Sequence, residues 1–227
     1  MKITYTLLLG AFLGTLALSA QAGEKWTVLF DGKKVSGLRG YGQKTMTESW
    51  AVKDGTLKTV PGAKNKRDLI TTASFTDFEF ECEWKVSPGG NSGIMYRVKE
   101  TNRPAYFTGP EMQVLDDEKH PDGHRNFPKR TAGSLYDMYG KGMKNKEYNK
   151  AGQWNKARIV IKDNVVQHYL NGTKIIEYKW GSDEVKAMIA NSKFKTWQDF
   201  MGEPKGHIVL QHHGEEVWYR NIRVRGK

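Results

Sequence analysis

The sequence predicts an all-β chain folded as a two-sheet sandwich or barrel, and three observations predict it. Short segments alternate apolar with polar residues, turn dipeptides separate them at close intervals, and helical periodicity is almost absent. A chain of 227 residues is long enough to bury a substantial core as one all-β domain.

Ahead of the first strand come Lys2, an apolar run from Leu7 to Leu18 relieved by small residues, and Ala20-Gln21-Ala22. This is the order of a secretory signal peptide cut after Ala22, and the run is too short to span a bilayer. Residues 1–22 are therefore expected as the signal peptide and 23–227 as one exported domain, periplasmic or secreted, with no membrane span. The formal charge is +11, one unit of it from Lys2. Export argues against nucleic acid, and the cations are scattered, the densest group being Lys141 to Lys150 in a Gly- and Asn-rich loop, so they read as solvated surface. Cys82, the lone cysteine, has no disulfide partner, and no Cys/His spacing suggests zinc.

In chain order, Phe78 to Trp84 alternates strictly, setting Phe78, Phe80, Cys82 and Trp84 on one face and three glutamates on the other. The glycine-rich turn Gly89-Gly90-Asn91 leads into a strand with Ile94, Tyr96 and Val98 on one face and Gly93, Met95 and Arg97 on the other. Arg97 reads either as a salt bridge or as an anion clamp. Gly109-Pro110 then opens a strand on which Glu111 and Gln113 share a face. Arg158 to Lys162, Val165 to Leu170 and Thr173 to Tyr178, joined by Asp163-Asn164 and Asn171-Gly172, read as two hairpins. One short helix is expected from Asp183 to about Ser192, capped by Ser182, with Val185, Met188 and Ile189 inward. A final pair of strands would run His207 to His212 and Val217 to Val224, the first placing Gln211 and His213 opposite Leu210 and His212.

The long irregular stretches, 99–110 and 116–134, carry Tyr106, Phe107, Phe127, His120 and His124, a composition too aromatic for a disordered linker. Asp116, Asp117, His120, Asp122 and His124 could together bind a divalent cation, but their spacing matches no known ligand loop, and Pro121-Asp122-Gly123 reads as an ordinary turn. His168, inside a hairpin strand, reads as a packing residue. No zincin, Walker or G-x-S-x-G string is present. Glu111-Met112-Gln113 begins like the E-x-D-x-x-E strand of retaining glucanases, but Gln113 cannot ionise.

Five strings in order, Trp26 to Gly32, Gly89 to Ile94, Glu111 to Asp116, Gly133 to Asp137 and Trp218 to Ile222, resemble the 3-keto-disaccharide hydrolase domain family over about Trp26 to Val224. The resemblance implies a concanavalin A-like two-sheet β-sandwich (jelly roll), secretion, and cleavage of carbohydrates whose glucose ring is oxidised at C3. Such a ketone acidifies C2–H, so a base can start elimination of the C1 substituent, with water adding afterwards. Carried onto matching positions, it implies Glu111 and His213 as catalytic, one or the other of them the base, Arg97 as enolate clamp, Gln113, Tyr136, Asn91 and Asp116 as substrate contacts, and a possible divalent metal ion as cofactor. Family members often have Asp before the site histidine, where this chain has His212. The alternatives are a lectin-like carbohydrate-binding module, with Trp26, Trp50, Trp154 or Trp180 as platforms, and a conventional glycosidase using a distant carboxylate such as Glu83.

Overall fold

The computed structural model describes residues 25–140 and 147–227. The proposed signal peptide and much of the basic loop at 141–150 lie outside them. The described residues form thirteen strands: β1 Thr27–Phe30, β2 Leu38–Gly40, β3 Trp50–Lys53, β4 Thr56–Thr59, β5 Leu69–Thr71, β6 Phe78–Val86, β7 Asn91–Val98, β8 Glu111–Leu115, β9 Asn155–Lys162, β10 Val165–Leu170, β11 Thr173–Lys179, β12 His207–Leu210 and β13 Val217–Gly226. One antiparallel sheet runs β11-β10-β9-β6-β13-β4-β3 with β1 also on β13, and the other runs β2-β5-β12-β7-β8. Their inner faces meet in one core that includes Phe80, Trp84, Ile94, Tyr96, Met112, Val114, Ile159, Leu210 and Tyr219.

Local chemistry explains most elements. Asp163 and Asn164 both take positive φ, 50° and 63°, as do Asn171 and Gly172, at 48° and 90°, which is the geometry of tight hairpin turns. The glutamate face of β6 lies on the outer surface of the larger sheet, where Glu79 pairs with Arg158 and Arg225, Glu81 with Arg223 and Glu83 with Arg220. That placement removes Glu83 from any pocket on the other sheet, and with it the conventional-glycosidase alternative's second carboxylate. His168 packs as expected: it is fully buried, its Nε2 2.8 Å from the Tyr96 hydroxyl and its Nδ1 3.1 Å from the Gly133 carbonyl. Burial pushes its pKa down to about 4.

Helix α2, Asp183–Ala190, is the expected one, with Ser182 Oγ accepting from the Val185 amide. A second, one-turn helix α1, Pro121–His124, and a 3-10 turn at Ala105–Phe107 were not expected. His120 caps α1 with its ring nitrogen in place of the usual hydroxyl or carboxylate, a signal that capping rules do not read. The last two strands also differ from expectation. β12 ends at Leu210 and belongs to the smaller sheet while β13 belongs to the larger, so residues 211–216 cross from one sheet to the other and carry His213 to the edge of the small sheet's outer face.

The largest departure is at Arg97. His207 faces Val98 and Val209 faces Met95, so Tyr96 and Arg97 together oppose Ile208. This β-bulge, with Arg97 at φ 48°, resets the alternation and sends Val98 to the outer face beside Met95. The Arg97 side chain is fully buried: Nη2 donates to the Thr76 carbonyl at 3.0 Å, Nη1 donates to Asn164 Oδ1 at 3.0 Å, and the guanidinium lies 4.7 Å from the Trp180 ring centroid. It ties β7 to the β9–β10 turn and is not an enolate clamp. Arg97→Met is expected to cost about 1–3 kcal/mol, because it removes two hydrogen bonds made by a charged donor on a fully buried side chain, together with its contact with Trp180. Chemical denaturation measures that loss, and kcat below the new melting range should match the wild type.

Candidate active site

β8 supplies the centre of the site. Its alternation sends Met112 and Val114 into the core and presents Glu111 and Gln113 on the outer face, paired across the sheet with Met95 and Gly93. Gly93 is required there, since a Cβ would lie 1.8 Å from Glu111 Oε1. Asn91, Tyr106, Tyr136, Lys193, Phe194, Gln211 and His213 join them around a pocket of ≈ 140 Å³.

Glu111 is 7% exposed, and its carboxyl makes no hydrogen bond to a described residue. Burial pushes its pKa up to about 8; Lys193 opposes that shift, and the carboxylates of Asp68 and Asp122 add to it. Gln113 spends its Oε1 on the Val114 amide at 3.1 Å, which leaves its NH2 as a donor with no partner among the described residues. Asn91 is 4% exposed with its Oδ1 unpaired, while its Nδ2 lies 3.4 Å from His120 Nε2.

A closed run of bonds fixes the opposite wall. The Tyr136 hydroxyl donates to Asp122 Oδ2 at 2.8 Å, and Arg130 donates from Nη1 to Asp122 Oδ1 at 3.1 Å and from Nε to Asp137 Oδ1 at 2.6 Å. Asp137 Oδ2 in turn accepts the Lys193 amide at 3.1 Å, setting the Lys193 ammonium 4.2 Å from the Tyr136 ring centroid. Burial lowers the Lys193 pKa, and Glu111 works the other way. Burial alone would raise Asp122, but the Tyr136 hydroxyl and Arg130 hold it below the usual carboxylate range.

His213 lines the pocket with Gln211, as strand alternation predicts, and its Nδ1 lies 2.9 Å from Glu215 Oε2. His212 turns the other way. It is buried edge-on against Trp50 at 6.0 Å, its amide donates to Asp68 Oδ1 at 2.8 Å, and its Nε2 lies 3.3 Å from the Val60 carbonyl.

Of the residues expected in the site, Glu111, His213, Gln113, Tyr136 and Asn91 converge, whereas Arg97 and Asp116 do not. Asp116 spends its carboxylate on the amides of Gly89, Glu118 and Lys119, because an aspartate at the start of a loop satisfies nearby backbone donors. Two groups were unexpected: Lys193, in the loop after α2, lines the pocket, and Asp68, at the foot of β5 and outside the pocket lining, is a carboxyl that burial pushes up to about 6 and whose charge bears on Glu111. None of the four tryptophans considered as platforms lines the pocket: Trp26, Trp154 and Trp180 lie under arginines and Trp50 is core.

The acidic loop forms a turn, with Asp117 on the Ala132 amide and His124 on the Glu118 carbonyl. A different set offers metal chemistry, since donor atoms of His120, His213 and Glu215 lie within 4.8 Å of one another. Two imidazoles and a carboxylate suit a divalent first-row ion. As bonded here, however, His120 Nδ1 accepts the Asp122 amide at 3.1 Å, so its Nε2 carries the proton of a neutral ring, and metal ligation through Nε2 would require that bond to give way.

The match to the 3-keto-alpha-glucoside-1,2-lyase-like domain extends over residues 25–225. The chain belongs to this family. A 3-keto-disaccharide hydrolase from Bacteroides thetaiotaomicron is 35% identical over 95% of this chain and 82% of its own length. The crystal structure of a candidate glycosyl hydrolase from Parabacteroides distasonis superposes with a TM-score of 0.78 at 27% identity, covering 89% of this chain and 94% of that one. The catalytic domain of a Thermotoga petrophila laminarinase shares the fold at a TM-score of 0.51 and 9% identity, covering 88% and 98% of the two chains. With the 3-keto-alpha-glucoside-1,2-lyase-like domain the chain thus shares a concanavalin A-like sandwich, and the pocket lies on the outer face of its smaller sheet. No helix among the described residues is long and apolar enough to cross a membrane.

Proposed function

We propose that the protein cleaves 3-keto-glucosides by elimination across C1 and C2, and that Glu111 acts as the acid and His213 as the base. The observation that carries this reading is a desolvated carboxyl, held protonated at neutral pH, in one small pocket with an imidazole backed by a carboxylate. His213 Nε2 takes the C2 proton while Glu215 holds Nδ1–H, and the electron pair moves onto the C3 ketone oxygen as an enolate. Lys193 supplies the positive charge that favours this enolate, the role the sequence suggested for Arg97. Collapse of the enolate forms the C1=C2 bond and breaks the bond from C1 to the leaving oxygen, which takes the proton of Glu111. The site is then left with imidazolium and carboxylate, the states needed to add water to the enone: Glu111 removes a proton from water attacking C1, and His213 returns one to C2. Elimination and hydration thus balance as net hydrolysis.

Gln113 and Asn91 are the hydroxyl contacts of the sugar, and Tyr136, locked by Asp122, forms the wall beneath Lys193. A divalent ion held by His120, His213 and Glu215 would supply Lewis-acid stabilisation of the enolate oxygen. Export to the periplasm or beyond remains part of the proposal.

The experiment is turnover of nitrophenyl 3-keto-glucosides of both anomers beside their unoxidised parents, in deuterated water, with and without chelator. Release from the keto substrates alone, with exchange at C2, is the expected result. Release from the parents at the same rate would sink the elimination scheme, and binding without release would favour the lectin-like module. Loss on chelation, restored by a divalent ion, would move His213 from base to metal ligand.

A further inference from the structure

A second cavity of ≈ 700 Å³, lined in part by Tyr41, Lys66, Arg67, Asp68 and Arg103, opens beside the reaction pocket. The two share Tyr106, Gln211 and His213 as common walls. The inner pocket holds the acid and the base, so a group leaving C1 past His213 enters this outer cleft, whose volume is in the range of cavities that enclose whole small ligands.

The charge of the cleft is unbalanced. The Lys66 ammonium lies against the turn after His213, 3.2 Å from where a Cβ on Gly214 would sit. Arg67 stands at Gly42, its Nη1 3.7 Å from the corresponding point there, and the Arg103 guanidinium lies 4.6 Å from the Phe107 ring centroid. None of these three cations makes an ion pair with a described residue. Nearby cations outside the lining are neutralised, Arg39 by Glu100 at 2.7 Å and Lys99 by Glu203 at 2.9 Å. Asp68 is the lining's carboxylate, and even fully ionised it leaves two positive charges over. Three unpaired cations spaced around one cavity attract an oxyanion carried on the leaving group, and a neutral aglycone leaves them without a counter-charge.

Building on the elimination reading, we infer that the outer cleft is a leaving-group subsite for aglycones bearing a carboxylate or sulfonate-type oxyanion. Neutral aglycones are substrates too, but weaker ones.

The test compares 4-carboxyphenyl and 4-sulfophenyl 3-keto-glucosides with the neutral 4-(methoxycarbonyl)phenyl compound, in the wild type, in Lys66→Gln/Arg67→Gln, in Arg103→Gln, and in Lys64→Gln, whose side chain does not line the cleft. Differences in leaving-group acidity cancel when the anionic-to-neutral ratio of kcat/KM is compared between proteins. The ratio is expected to fall about tenfold in the double variant and to hold in Lys64→Gln. It should also fall as salt is raised from about 20 to about 300 mM, a trend that a packing effect would not produce. A carboxylate preference without a sulfonate one assigns the subsite to carboxylates, and the reverse assigns it to sulfonates. A ratio within about twofold of wild type in the double variant and in Arg103→Gln overturns the inference. Should the neutral keto substrate not turn over at all, the elimination reading fails separately. Calorimetric affinities of the same aglycones as unoxidised glucosides then decide the subsite, and equal affinities for charged and neutral forms in the wild type overturn it.

Discussion

Glu111→Gln is expected to lower kcat on a 3-keto-glucoside by about 10²–10⁴-fold, the range that general-acid catalysis contributes, while making the folded protein more stable at neutral and alkaline pH. Both effects have one cause. The carboxyl sits over Gly93 with no hydrogen-bond partner among the described residues, so burial holds its proton to about pH 8 where an ordinary glutamate loses it near 4.5. Between those values the folded state binds more protons than the unfolded one, so the contribution of this residue to stability is intact below about pH 4.5 and declines as pH rises towards 8. Glutamine is isosteric with the protonated form and escapes that decline. The variant and wild type should therefore melt together near pH 4 and diverge above it. The gap should reach on the order of 3–5 kcal/mol by pH 9, because each tenfold change in proton affinity between the folded and unfolded states is worth about 1.4 kcal/mol. In the wild type, kcat should fall as pH rises through about 8, because the acid must carry its proton. Calorimetric melts across pH, set beside a pH–rate profile, test both. Parallel melting curves at every pH would mean that Glu111 is ionised in the folded state and cannot be the acid.

The same strand shows why part of the site was legible in the sequence and part was not. Alternation on β8 placed Glu111 and Gln113 together because period-2 geometry is local, and the two hairpins were legible because Asp163-Asn164 and Asn171-Gly172 accept left-handed backbone. Alternation failed at Arg97, where a bulge reverses the faces and no glycine marks it. Asp116 reads as a substrate contact because sequence cannot distinguish a carboxylate facing substrate from one stapling its own loop. Lys193 was invisible for the opposite reason. It lies in an irregular segment and reaches the pocket through the Asp137–Arg130–Asp122–Tyr136 network, none of which is periodic. Local rules thus placed Glu111 and Gln113 on one strand face, whereas tertiary hydrogen bonds bring Lys193 to the same pocket.

His213→Ala is expected to reduce turnover as severely as loss of Glu111, and Glu215→Gln to reduce it about tenfold with KM nearly unchanged. The asymmetry follows from the geometry. The imidazole touches the C2 proton in the proposed scheme, whereas Glu215, 2.9 Å behind it, fixes the tautomer that leaves Nε2 able to accept and steadies the imidazolium that forms. A glutamine can still accept from Nδ1–H, so orientation survives and only the charge is lost. Because His213 borders both cavities and is half exposed, removing it opens a channel wide enough for a small base. Added imidazole should therefore restore part of the His213→Ala rate, with saturation in imidazole and C2 exchange returning in step with product release. Removing a metal ligand would give a different pattern: rescue by a divalent ion at high concentration and none by imidazole. Equal losses in His213→Ala and His212→Ala would overturn the assignment, because His212 is held against Trp50 and Val60 and does not line the inner pocket that holds Glu111.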